Sequence, residues 1–211
     1  MARVLTPSCK QCRREGVKLF LKGEKCSSNK CPFIKRNYPP GQHGISSARK
    51  KKSVYNDALR EKQKTKKIYG ILERQFRVYF GKAEKSRGIT GEILLQLLER
   101  RLDNVIFRSS LAPSRSKARQ LALHNHFTVN GKKVNIPSYQ VRVGDKIQVK
   151  EESKKNKYFK EILPALLKSM ETPSWLKVNK KSVSIEIVNL PQREDIDQII
   201  NEQLIVGFYS R

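Results

Sequence analysis

"ERRLDNVIFRSSLAPSRSKARQLALHNHFTVNGKKVNIPSYQVRVGDKIQV" spans residues 99–149. A short helix ends near Phe107. Ser114, after Pro113, caps a second one. In that second helix Ala118, Leu121 and Ala122 form an apolar face. Arg115 and Arg119 stand four apart, while Lys117, Gln120 and His124 line another row at i, i+3 and i+7. One side packs, and the other presents donors of the kind that hold phosphates. "FTVNGKKV" comes next, with Asn130-Gly131 as the two-residue turn of a β-hairpin. "VRVGDKIQV" alternates on both sides of a Gly144-Asp145 turn. The block therefore predicts two helices and a small antiparallel sheet, with cations on the second helix and, at Lys132 and Lys133, on the hairpin.

Upstream the pattern is helical. "SARKKKSVYNDALREKQKTKK" suits a very basic exposed helix. "IYGILERQFRVYFGKA" places Ile68, Leu72, Phe76, Tyr79, Phe80 and Ala83 three or four apart, which predicts one buried helical stripe. "TGEILLQLLERRL" predicts a further helix, capped by Thr90 and with Glu92 in its first turn. Further upstream, "NYPPGQHG" ends any regular element and reads as an ordered loop.

Before that loop lies "CKQCRREGVKLFLKGEKCSSNKC", which holds all four cysteines. Cys9 and Cys12 form a C-x2-C knuckle, and Cys26 and Cys31 form a second close pair. Two such pairs suit a tetrahedral thiolate site. Disulfides fit secreted chains, and residues 1–20 lack a long apolar core and a small-residue cleavage site. A thioredoxin-like dithiol should follow a strand, and none precedes Cys9. The expectation is a closed structural metal site on Cys9, Cys12, Cys26 and Cys31. It would hold Zn²⁺, or as the second choice an iron–sulfur cluster. His43 reads as a loop residue.

Charge narrows the function. The 211-residue chain carries 45 Lys and Arg against 19 acids, a net +26. Such a surface calls for a polyanion, nucleic acid first and an anionic membrane a distant second. Residues 1–52 hold 14 basic residues against 2 acids, and residues 99–150 hold 11 against 3. Residues 151–211 are almost neutral, with 10 against 9. They are expected to build core or to touch protein.

"SRSKARQL", "VNGKKV" and "IPSYQVRVGD" resemble the S-four-type RNA-binding module. A ribosomal protein, several pseudouridine synthases, some tyrosyl-tRNA synthetases and a heat-shock RNA binder share it. "RREGVKLFLKG", "PPGQHG", "LREKQK", "IYGILERQF", "ERRLDNV", "PSWLKV", "LPQRED" and "NEQLIVGFYSR" select among these homes. Together they resemble the bacterial S-four family of small-subunit ribosomal proteins, from Met1 to Arg211.

The resemblance implies an α+β fold in three parts. Residues 1–45 would form the four-cysteine segment. Residues 46–98 with about 175–211 would form a mostly helical domain. Residues 99–174 would form the inserted RNA-binding module of two helices and a small sheet. It also implies a structural constituent of the small ribosomal subunit, located in the cytoplasm within the ribosome and without enzymatic activity. Relatives bind small-subunit rRNA directly in its 5′ domain and nucleate assembly of the subunit body. They contact neighbouring ribosomal proteins and affect translational accuracy. The counterparts of Arg49, Lys50 and Lys51 lie near the mRNA entry.

Within that frame the expected rRNA contacts are Arg100, Arg115, Lys117, Arg119, Gln120, Lys132 and Lys133 in the module. Arg13, Arg14 and Lys18 beside the cysteines, and Arg60, Lys62 and Lys64 in "LREKQK", make the second part. His43, His124, Tyr55 and Tyr69 are weaker candidates for stacking. Two rivals remain. A pseudouridine synthase would use Asp103 in "RLD", but only about sixty residues follow the helix–hairpin block, too few for a catalytic domain, and pairing of Asp103 with an arginine, or its capping of a turn, fits better. A free RNA chaperone would not need the cysteine unit or the C-terminal tail.

Overall fold

The computed structural model describes residues 4–47, 53–169, 172–180 and 182–210. The chain forms two compact units, Met1–Leu94 with Asp197–Arg211, and Leu95–Ile196.

The first unit is helical. Helix α1 (Ser8–Glu15) stops at Gly16, whose φ of 71° is cheap only for glycine. Single turns come next at α2 (Glu24–Ser27), α3 (Pro32–Lys35) and α4 (Gly44–Ser47). Helix α5 (Val54–Ile68) starts where the Ser53 hydroxyl accepts the Asn56 amide at 3.2 Å. The single stripe expected from Ile68 to Ala83 is broken. Gly70 turns the backbone left-handed at φ 64°, and helix α6 (Glu73–Glu84) starts afresh. Ile68 therefore closes α5 and Leu72 becomes an exposed cap, so that Phe76, Tyr79, Phe80 and Ala83 alone make the buried face of α6. Helix α7 begins at Thr90 itself and runs to Glu99, its residues from Leu95 onward belonging to the second unit.

The second unit is mixed. Arg101 interrupts the helix expected over residues 90–102, by forming a bridge with Gln140 and capping a new helix α8 (Leu102–Arg108). Helix α9 (Arg115–Leu123) starts at Ser114, whose hydroxyl accepts the Lys117 amide at 3.3 Å. Strands β1 (Phe127–Val129) and β2 (Lys132–Lys133) are joined by Asn130 and Gly131 at φ 49° and 76°. Both positive angles suit the right-handed twist of a tight hairpin.

The alternation on both sides of the Gly144-Asp145 turn does not close into a hairpin. Gly144 and Asp145 do make a turn, but β3 (Lys146–Val149) pairs with β1 and with β5, not with residues 141–143. The Gly144 amide instead donates to the Ile187 carbonyl at 2.9 Å. Helix α10 (Glu151–Lys154), a π-turn (Tyr158–Ile162) and α11 (Leu163–Ser169) come next, then β4 (Leu176–Asn179) and β5 (Ser184–Ile187). The sheet order is β2-β1-β3-β5-β4, antiparallel throughout. Leu176–Asn179 and Ser184–Ile187, assigned from the sequence to the helical part, thus complete this sheet. Ile185 and Ile187 enter its core beside Phe127, Ile147 and Trp175. Only residues from Asp197 onward group with the helices. There α12 (Glu202–Tyr209) packs on α5, and the Tyr209 ring stacks on Phe80 at 4.5 Å.

Candidate RNA interface

The basic side of α9 is built from underneath. Its apolar residues Ala118, Leu121 and Ala122 are buried in the core of the second unit. That burial fixes the helix rotation and turns Arg115, Lys117, Arg119 and Gln120 toward the rim. Arg115 donates through Nε to Asn104 Oδ1 at 2.8 Å and lies over the Phe107 ring at 4.5 Å. Arg119 reaches Asp103 Oδ2 at 3.5 Å. Lys117 sits 5.2 Å from the Tyr158 ring centroid and 3.4 Å from Gln120 Oε1, and Gln120 is exposed.

Beneath them two carboxylates are closed off from solvent. Arg101 grips Asp103 with two hydrogen bonds of 3.0 and 2.7 Å. Glu99 takes Arg108 at 3.0 and 2.9 Å and the Asn104 amide at 2.6 Å. Breaking such a buried pair strands a charge and costs about 3–5 kcal/mol. Asp103 is thereby held by arginines.

Lys132 and Lys133 stand exposed on the edge strand β2. Arg100 turns its Nε to the Val141 carbonyl at 2.9 Å. Burial, and then the charge of Arg142, pull its pKa below the usual guanidinium range. Arg142 and Lys146 are exposed cations on the same unit that the sequence reading left out. Their alternation with buried Val141, Asp145 and Ile147 is the signal that would have found them. Positive charge also gathers around His126: burial first, then His124, Lys150 and Lys117, lower its pKa, and its Nδ1 meets Ser153 Oγ at 2.9 Å.

The cations of the first unit divide differently. Arg14 is exposed and Lys18 half-buried. Arg13 instead holds the Pro-Pro loop, donating to the Tyr38 carbonyl at 3.0 Å with its guanidinium 4.9 Å from that ring. The "LREKQK" cations face protein. Lys62 is buried, 2.7 Å from Glu73 Oε1 and 4.5 Å from the Phe208 ring centroid. Lys64 pairs with Glu61 at 2.8 Å and donates to the Ile199 carbonyl at 2.7 Å. Arg60 pairs with Glu15 at 3.4 Å. The expectation that Lys62 and Lys64 present to RNA is corrected accordingly, because Glu73 on the next helix draws Lys62 inward, and Glu61 on the same helix with the Ile199 carbonyl draws in Lys64. Exposed Arg74 and Lys82 on α6 are cations of this unit that the sequence reading passed over. Tyr69 is core, Tyr55 is half-exposed against Phe208, and His43 is exposed. Arg49, Lys50 and Lys51 lie outside the described residues.

All four cysteines are free thiols, with Cys12, Cys26 and Cys31 buried. Among the described residues no group of three or more His, Cys, Asp or Glu side chains is arranged as a metal site. The thiols are nevertheless neighbours. Burial first, and then Cys26, Cys9 and Cys31, push the Cys12 thiol up, against a hydrogen bond from the Leu19 backbone. The Lys22 amide donates to Cys26 Sγ at 3.3 Å. Cys12 and Cys26 each accept a backbone N–H bond, and thiolates so placed are of the donor type that zinc takes.

Fold and surface together define a basic α+β protein with a cationic helix and hairpin mounted on a small sheet. Residues 3–99 match the family described as "Ribosomal protein S4/S9 N-terminal domain", and residues 100–147 match the "S4 domain". "Small ribosomal subunit protein uS4" of Heliobacterium modesticaldum is 56% identical over 211 residues, all of both chains. The proteins of the same name in Caldicellulosiruptor saccharolyticus and Clostridioides difficile are 56% and 54% identical over the same full lengths. The chain belongs to the uS4 family of small-subunit ribosomal proteins.

Proposed function

We infer that this chain is a structural, non-catalytic constituent of the small ribosomal subunit, working in the cytoplasm within the ribosome, and that it binds the subunit's rRNA directly. The observation that carries the reading is the 56% identity to a protein named uS4 across all 211 residues. The net charge of +26 supports it, since each phosphate met by Lys or Arg releases counterions. A folded RNA offers shape, backbone and hydroxyls more than readable base edges. Specificity then comes from where cations are held. Here Arg115, Arg119 and Lys117 are mounted on a helix whose opposite face is core, and Lys132–Lys133 stand exposed on an edge strand.

The finer reading is that the target is the 5′ domain, where binding nucleates assembly of the subunit body. Neighbouring ribosomal proteins complete the surroundings, and their contacts bear on decoding accuracy. Arg49, Lys50 and Lys51 stand toward incoming mRNA. Cys9, Cys12, Cys26 and Cys31 hold a structural metal, Zn²⁺ by preference to an iron–sulfur cluster. Their spacing and their crowding around Cys12 support this. When bound, such an ion would supply a rigid four-way cross-link and no chemistry of reaction.

The test is sedimentation of the full chain with small-subunit rRNA free of other proteins. Co-migration that survives moderate salt is the expected result. Co-migration only with already assembled subunits would overturn direct binding.

A further inference from the structure

We propose that Asn104 and Asp103 are positioning residues for RNA binding, fixing Arg115 and Arg119 from below as a rigid pair of guanidinium groups for adjacent backbone phosphates. The proposal deepens the rRNA-binding reading and rests on it.

A long cation at a surface loses rotamer freedom when it grips a phosphate, so a side chain already ordered binds more tightly. Two parallel relays supply that order. In the first, buried Glu99 accepts from Asn104 Nδ2 at 2.6 Å, and the Glu99 carbonyl accepts from the same amide nitrogen at 3.0 Å. The amide can then face only one way, and its Oδ1 accepts Arg115 Nε at 2.8 Å. Phe107 supports the guanidinium plane at 4.5 Å. In the second, Arg101 orients both oxygens of Asp103, at 3.0 and 2.7 Å, and Arg119 Nη1 lies 3.5 Å from Oδ2.

Asn104 and Asp103 are 2% and 4% exposed, so neither can meet RNA itself. Four guanidinium groups (Arg101, Arg108, Arg115 and Arg119) surround two carboxylates, which leaves the cluster cationic as a whole. Residues four apart on a helix are separated by about 6 Å along its axis and share a face. The relays thus aim two forks, suited to phosphate, from one side of α9.

The test is a double-mutant cycle on the full chain, with affinity for small-subunit rRNA as readout and thermal melts to establish folding. Asn104→Leu and Arg115→Ala should each weaken binding about tenfold, and the double variant should weaken it little further. Both single variants should lower the salt slope by about one. Independent, multiplying losses would show Asn104 acting through the fold and would overturn the proposal. Should Asn104→Leu fail to fold, Arg115→Lys decides, since it keeps the charge but loses the Nε donor and the fork. It should bind about tenfold weaker, and binding equal to the native chain would overturn the proposal. A native chain that does not prefer rRNA over tRNA would sink the rRNA reading itself. A native chain that binds, with variants that multiply, sinks only the positioning.

Discussion

Glu73 accepts hydrogen bonds from Lys62, Lys66 and Tyr209 at 2.7, 3.0 and 3.0 Å. Partial burial opposes its charge, but those bonds outweigh burial and hold its carboxyl down to about 2. The depressed value adds stability that is fully present above the ordinary carboxylate pKa and is lost as pH falls through about 4.5 to 2. With a third of the side chain open to solvent, on the order of 1–2 kcal/mol is expected. The melting temperature of Glu73→Gln should therefore lie below that of the native chain at pH 6, and the gap should close toward pH 2. A gap that does not change with pH would contradict this assignment. The same carboxylate explains why Lys62 was misplaced from sequence alone. A charge run does not reveal which of its members meets an acid, and Glu73 lies on the next helix. Lys132 and Lys133 were legible, because a two-residue turn forces the residues after it onto the returning strand of a hairpin.

At the scale of elements, two local signals read true, while the Gly70 break, the Thr90 cap and the long-range pairings did not. The Ser114 cap and the Asn130-Gly131 turn are decided by neighbours within four residues. The break at Arg101 is decided by Asp103 together with Gln140, which lies on a distant segment, so helical periodicity ran through it. Strands β4 and β5 escaped because a near-neutral segment with short alternation does not declare its partner, here β3. Two outcomes belong here. Ser114→Ala should cost about 1 kcal/mol in urea unfolding, the usual worth of a side-chain cap, and no loss would mean that α9 is set by packing alone. Lys132→Ala with Lys133→Ala should leave stability within about 0.5 kcal/mol, since both are exposed. The slope of log affinity against log salt should fall by about one for each phosphate that the variant no longer neutralises. An unchanged slope would remove β2 from the interface.

For the whole molecule, the sequence shows where basic charge is concentrated by segment but not which cations face solvent. The basic surplus in residues 1–52 and 99–150 was plain, but Arg13, Arg60, Lys62 and Lys64 turn inward to carbonyls and carboxylates. A helix buries part of its charge only once its partners are in place, and those partners come from elsewhere in the chain. The cysteine segment bears on the same scale. If a metal staples it, chelation should open Cys9–Cys31 to protease under native conditions while residues 99–149 stay protected. Equal protection with and without chelator would mean that the segment folds unaided.

The central claim is direct and specific binding of rRNA. It is tested most directly by titrating the full chain against a 5′-domain fragment of small-subunit rRNA, with excess tRNA as competitor over a range of salt. The account predicts tight binding that resists tRNA and weakens steeply as salt rises. Binding to the fragment no stronger than to tRNA would contradict it.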